Sequence, residues 1–319
     1  MFKNDIDSRE FVREPVDEVV NDILESDKNR IIITGRKGSG KSTVLYSLQK
    51  RGLGSRVKTI YNSLDSRVAL SKEPNEEFTN QILNCYYESQ FISNLLKFIE
   101  LNYPLMYQEY FENDKYISSI TSDFNKMIKN IKNEPDYLLK IRDVATSVIN
   151  KFRECSKLAK LNLALDGFDR VNGSSEYVQK LYEEYFNMFD KVILSSEDPL
   201  IDSERLINSG YDIKNINYGT DKRVLREIIK RRLEKKINNL QGEQDYTPDY
   251  FLKKLSVFNG NIDAVLSVLD YFSDMYLDRE YNPYYYDIRL RNKIEFLLGY
   301  EELYNHKFDR MNGKPTLHL

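Results

Sequence analysis

The stretch NRIIITGRKGSGKSTVLYSLQKR, residues 29–51, decides the fold. Arg30–Thr34 is a short β-branched run without polar alternation, as expected of a strand buried on both faces of a parallel sheet. Gly35-Arg36-Lys37-Gly38-Ser39-Gly40-Lys41-Ser42 then fits G-x-x-x-x-G-K-[ST] at every fixed position, and an amphipathic helix is expected from about Lys41. The glycines let the backbone wrap a β-phosphate with N–H groups pointing inward, and the helix N-terminus adds positive potential. Lys41 is expected to bridge β- and γ-phosphates and Ser42 to ligate Mg²⁺. Arg36, Lys37, Ser39 and Thr43 complete the nucleotide-binding segment. The bland alternative, a chance match in a basic loop, does not account for the strand before it and the helix after it.

A phosphate loop of this kind needs an acid for the metal's water shell, delivered from the end of a neighbouring strand. Leu161–Leu165 is an apolar strand and Asp166 ends it, so Asp166 is the metal candidate, against the reading of an ordinary strand-ending aspartate. Hydrolysis further needs a group that orients water. Gly167 stands next to Asp166, so Asp169 is the displaced candidate; its alternative is pairing with Arg170. Val192–Ser195 is another apolar strand with hydroxyls at its exit. Ser195 or Ser196 is a candidate sensor of the γ-phosphate, although hydroxyls also simply end strands. Asn62, at the exit of a strand over Val57–Tyr61, is a candidate for contact with the acidic strand end, but reads more plainly as a turn residue.

Strands alternating with helices argue for a parallel α/β sheet. A helix is expected from Pro15 to Leu24, a fifth strand over Asp212–Tyr218, and a helix from about Ser175 to Phe189. Residues 74–160 are far longer than a bare crossover and are expected as a helical insertion, broken near Asn102-Tyr103-Pro104 and Asn133-Glu134-Pro135. After Gly219 the strands largely stop. Thr220 is expected to cap a basic helix to about Asn239, Thr247-Pro248 starts another that Asn259-Gly260 ends, and Ile262–Tyr276 and Tyr284–Leu298 follow. Asn312-Gly313 between two short extended runs signals a hairpin. The expected domains are a nucleotide core over 1–219, a helical lid over 220–280, and a helix plus hairpin over 281–319.

The basic helix carries Lys222, Arg223, Arg226, Lys230, Arg231, Arg232, Lys235 and Lys236. Most form a solvated face, because Val224, Leu225, Ile228, Leu233 and Ile237 define the buried one. Arg231 and Arg232 are the candidates for reaching a nucleotide phosphate, and contact with a nucleic-acid backbone is a further reading of the same charge. A net charge of -3 argues against a broadly basic nucleic-acid coat. No apolar stretch approaches a membrane span, no secretory signal opens the chain, and Cys85 and Cys155 lack metal-ligand spacing, so a reduced cytoplasmic setting without a membrane is expected. His306 and His318 are the only histidines, with no Cys/His cluster or Ser-His-Asp arrangement around them.

With these residues assembled, the chain resembles the AAA+/STAND group of additional-strand P-loop ATPases. The likeness rests on Phe11-Val-Arg-Glu14, GRKGSGKST, LALDGFDR, VILSS, the basic helix and Asn259-Gly-Asn261, and spans most of residues 10–300. It implies a five-stranded parallel sheet of order 5-1-4-3-2, a helical lid and often a winged helix. It also implies ATP, ADP and Mg²⁺ as ligands. In such proteins a histidine near the end of the winged helix can contact the ADP phosphate, which makes His318 a candidate. Two departures matter: the acidic strand lacks an adjacent Glu, and no separate effector or repeat sensor is expected after residue 319.

Three functions fit. The first is a Mg·ATP switch with slow hydrolysis that assembles with itself or gates an effector protein, a build the resemblance associates with prokaryotic defence against phage. The second is a DNA-associated ATPase using the C-terminal winged helix, less favoured because Arg289, Arg291 and Lys293 are offset by Asp287 and Glu295. The third is a small-molecule kinase with the insertion as acceptor pocket.

Overall fold

The computed structural model describes residues 13–51, 56–63, 76–120, 124–134, 136–157, 160–167, 186–197, 210–236, 246–277, 286 and 288–299. The chain forms two compact units, one of residues 19–34 and 41–215, the other of residues 1–18, 35–40 and 216–319.

The first unit is built on a parallel sheet. Its strands are β1 (Arg30–Thr34), β2 (Val57–Ser63), β3 (Lys160–Asp166), β4 (Lys191–Ser196) and β5 (Asp212–Asn215). They lie in the order β2-β3-β4-β1-β5, which is the expected 5-1-4-3-2 read from the opposite edge. Every neighbouring pair is parallel, with Ile33 opposite Ser195, Leu165 opposite Leu194 and Ser63 opposite Asp166. Ile31, Ile32, Ile33, Leu163, Leu165, Val192 and Leu194 are all buried, so the unbroken apolar runs reflect a sheet covered on both faces.

Helix α1 (Arg13–Glu25) precedes β1 and α2 (Lys41–Arg51) follows it. Helix α2 packs on β2, β3 and β4. Between β2 and β3 runs the expected helical insertion: α3 (Glu76–Asn102), α4 (Pro104–Tyr110), α5 (Lys115–Ser119), α6 (Phe124–Asn133) and α7 (Tyr137–Ser156). The first break falls at Tyr103, because the residue before a proline is pushed out of the helical region and Pro104 then suits the first turn of α4. Long helices α3 and α7 pair, burying Phe91, Leu95, Ile141, Val148 and Phe152 in one core with Ile60 and Leu163 of the sheet. Inside that pair Glu88, fully buried, accepts from Arg142 Nε at 2.9 Å.

Lys191, at the first position of β4, is buried. Its ammonium donates to the carbonyls of Ile23 at 2.6 Å, Leu24 at 3.3 Å and Ser26 at 2.7 Å. The last carbonyls of a helix lack intrahelical donors and carry the negative end of its dipole, and α1 has no basic residue in its own last turn. A strand far along the chain therefore supplies the missing cation. Lys191→Met, which keeps the aliphatic stem, is expected to cost about 1.5–3 kcal/mol in chemical denaturation. A change below about 0.5 kcal/mol would show that water serves those carbonyls equally well.

The second unit is helical: α8 (Lys222–Lys236), α9 (Pro248–Leu255), a 3₁₀ turn over Ser256–Phe258, α10 (Ile262–Leu277) and α11 (288–299). Leu225, Ile229, Leu233, Phe251, Leu255, Val265, Leu269, Phe272, Tyr286 and Leu290 form its core. Thr247 caps α9 as expected, accepting from Tyr250 N–H at 3.2 Å, and Asn259 in the left-handed region ends the following turn. Two expectations are corrected. The cap of α8 is Asp221, which accepts from the Arg223 and Val224 N–H groups, while the Thr220 hydroxyl turns back to the Asn217 carbonyl. The fifth strand stops at Asn215 rather than Tyr218, because the chain leaves the sheet at buried Ile216 and winds into a 3₁₀ turn over Tyr218–Thr220. The expected C-terminal hairpin and most of the helix from Ser175 to Phe189 lie outside the described residues.

Candidate functional site

Two sets of residues carry the candidate site. The first is the exit edge of the sheet, where β1, β4, β3 and β2 end in Thr34, Ser195-Ser196, Asp166 and Asn62-Ser63. The pleat alternates side chains between faces, and the register aligns Ser63, Asp166 and Ser195 across three strands on one face. Asp166 is buried to 7% exposure and both its carboxylate oxygens accept hydrogen bonds. Ser195 Oγ donates to Oδ1 at 2.5 Å, and Tyr61 Oη donates to Oδ2 at 2.9 Å. Ser195 Oγ in turn accepts from the Gly167 N–H at 2.9 Å. The serine is thus fixed as a donor to the acid, which accepts on both of its oxygens. Gly167 sits at φ 75, a region that side chains rarely adopt, so the chain turns sharply where a second carboxylate would otherwise stand.

On the same unit Lys41 is the first residue of α2 and is buried, whereas Ser42 is exposed and Thr43 lends its carbonyl to the Ser47 hydroxyl at 2.8 Å. Ser196 is buried at the end of β4, opposite Thr34. Asn62 faces the other side of the sheet, where its Oδ1 accepts from Asn94 of α3 at 2.5 Å; it does not touch the acidic strand end through that bond.

The second set is the loop Gly35–Gly40, which packs within the helical unit. Ser39 N–H donates to the Arg36 carbonyl at 3.1 Å, closing the turn. Gly38, at φ 74, gives its carbonyl to the Ile262 N–H at 3.0 Å. A Cβ at Gly38 would land on Asn261 Oδ1, which itself caps α10 by accepting from Ala264 N–H at 3.1 Å. At Gly40 a Cβ would meet the Tyr218 ring at 2.9 Å. The Tyr218 phenol donates to the Pro15 carbonyl at 2.9 Å, and its burial pushes the phenol's pKa up. Arg36 is exposed, Lys37 half-buried, and Ser39 buried with its hydroxyl lacking a hydrogen-bond partner among the described residues.

Of the arginine candidates, Arg232 forks onto Asp270 of α10, with Nε to Oδ1 at 2.7 Å and an η nitrogen to Oδ2 at 2.6 Å. Arg231 pairs with Glu227 one turn back at 2.8 Å. Asp169 and His318 lie outside the described residues. On α11 the Lys293 ammonium stands over the Tyr271 ring at 5.5 Å. Among the described residues no helix is long and apolar enough to cross a membrane, and no group of three or more His, Cys, Asp and Glu side chains could hold a metal. The carboxyl oxygens of Asp166 and the hydroxyl of Ser42 are donor atoms that suit a metal brought in with a phosphate ligand, since such a cation keeps most of its waters.

Sequence reasoning missed Tyr61. Its phenol serves the acid across a sequence separation of 105 residues, and a tyrosine in a β-branched strand otherwise reads as packing. The period-2 pattern puts Tyr61 on the face of Ser63, and the register of β2 against β3 is what brings Asp166 onto it.

A parallel five-stranded α/β sheet of this order, with a phosphate-loop sequence between its β1 and α2, defines the P-loop class of fold. No family model and no curated protein matches the chain. Among solved structures the chain is similar to AMPPCP-bound DnaA from Aquifex aeolicus, with a TM-score of 0.38 and 17% identity over 94% of this chain and 91% of that one.

Proposed function

We propose that this chain is a Mg·ATP-binding ATPase of the AAA+/STAND build that works as a nucleotide-dependent switch with slow hydrolysis. The Gly35–Gly40 amides and Lys41 hold the phosphates, Ser42 and Asp166 serve Mg²⁺, and Ser195 reports on the reacting end through Asp166. ATP and ADP favour different states only through differential contacts, and the loop's packing on Asn261 and Tyr218 of the helical unit gives such contacts a route. The readout is self-assembly or the gating of an effector protein, with anti-phage defence as its setting. Asp169, Arg231, Arg232 and His318 are the further nucleotide contacts to test.

The observation that carries this reading is Asp166, held by two hydroxyl donors at the sheet edge and followed by Gly167 in the left-handed region. On this reading Asp166 is the metal acid, and Gly167 stands where an adjacent acid would orient water. The protein is expected to retain ADP on purification and to turn ATP over at roughly 10⁻⁴–10⁻² s⁻¹, the range of P-loop switches that lack a full catalytic set. Light scattering in ATP and in ADP is expected to give different masses or radii. Turnover on the order of 10 s⁻¹, or identical hydrodynamics in every nucleotide state, would overturn the switch; salt-sensitive DNA binding would favour a DNA-associated ATPase instead.

A further inference from the structure

We propose that Tyr61 is a positioning residue for Asp166, setting the affinity of the site for the divalent cation rather than for the nucleotide itself; this rests on the Mg·nucleotide reading above. Tyr61 lies on β2, beyond β3 as counted from β1, and reaches back along the shared face to Asp166 Oδ2 at 2.9 Å. Its ring meets the ring of Tyr46 edge-on, with centroids 6.3 Å apart, and the Lys50 ammonium stands over Tyr46 at 4.8 Å. Tyr46 and Lys50 belong to α2, the helix that Lys41 begins. The tyrosine therefore ties the acid to the helix that carries Lys41 and Ser42, the other side chains assigned to the ligand.

An ionised carboxylate offers about four lone-pair sites. Tyr61 and Ser195 take one on each oxygen, and the remaining ones accept the waters of a bound cation. With donors on both oxygens the carboxylate plane cannot rotate about its Cβ–Cγ bond without breaking a bond. With Ser195 alone a single bond opposes that rotation. Pre-organisation of this sort matters only to the ligand that uses the carboxylate, which is the hydrated cation. Phosphate contacts made by the loop amides and Lys41 do not pass through it.

The test uses the full chain carrying Tyr61→Phe, which keeps the ring packed on Tyr46 and removes one hydroxyl. Binding of a fluorescent ADP analogue is titrated with Mg²⁺, and again in excess chelator. The Mg²⁺ concentration for half-maximal enhancement of binding is expected to rise about 5- to 10-fold, with the Mg²⁺-free affinity unchanged. Ser195→Ala is expected to shift the same midpoint in the same direction. An unchanged Mg²⁺ midpoint in Tyr61→Phe overturns the positioning role and leaves the nucleotide reading standing. Equal losses with and without Mg²⁺ also overturn it, since they mark general damage to the sheet edge. Wild-type protein that binds the analogue with no Mg²⁺ dependence brings down both proposals.

Discussion

Lys41→Met is expected to remove most of the stabilisation of the protein by ATP. Lys41 begins α2, where the helix dipole presents its positive end, and it is buried at 6% exposure. A cation at that position is repelled by the dipole by about 0.3–1 kcal/mol and loses solvation as well. Charge-assisted hydrogen bonds contribute about 1.5–3 kcal/mol each, so loss of contacts to two phosphates lowers ATP affinity by about 10²–10⁴-fold. Methionine keeps the length of the side chain and its packing while removing the charge. Thermal unfolding with and without millimolar ATP, together with calorimetric titration, reads both effects. A wild-type affinity in Lys41→Met, or a collapse of the ligand-free protein, would show that the buried lysine serves the fold instead.

Much of the fold was legible because its signals are local. Arg30–Thr34 matches β1 end for end, since an unbroken apolar run between a polar turn and a glycine leaves little choice. The insertion was legible for a similar reason: prolines at 104 and 135 sit beside the helix breaks, and neither break needs a distant partner. The strand order was not carried by periodicity at all and came with the family resemblance. What escaped is what depends on contacts between remote residues. Lys191 looks solvated until α1 ends beside it, Tyr61 looks like packing until β3 lies next to β2, and Arg232 looks like part of a solvated stripe until Asp270 of α10 meets it. Thr220 and Asp221 are equally good caps by composition, and the 3₁₀ turn that follows Asn217 decides between them. The candidate site divides in the same way. The loop motif and Asp166 were readable from spacing and strand ends, whereas the donors that fix Asp166 required the register.

Gly38→Ala is expected to destabilise the helical unit, and its damage should depend on Asn261. Two costs combine. The φ of 74 places Gly38 where a Cβ collides with its own carbonyl neighbourhood, at about 1–2 kcal/mol. The added Cβ also lands on Asn261 Oδ1 and 3.2 Å from the Asp263 nitrogen, so the cap of α10 is displaced, at about 0.5–2 kcal/mol. A total of about 1.5–4 kcal/mol corresponds to a fall of roughly 2–6 °C in Tm for a chain of this size. Asn261→Gly removes the colliding side chain and costs only a few tenths of a kcal/mol as a cap. The double variant Gly38→Ala/Asn261→Gly is therefore expected to recover about 0.5–2 kcal/mol relative to Gly38→Ala alone, leaving the backbone strain in place. Additive effects in this double-mutant cycle would show that loop and cap do not touch in solution. Full recovery would show that the backbone at residue 38 relaxes out of the left-handed region at no cost. Partial recovery marks the phosphate loop and the start of α10 as one mechanical element, so that a ligand gripping the loop amides also bears on the helix whose first turn the loop supports.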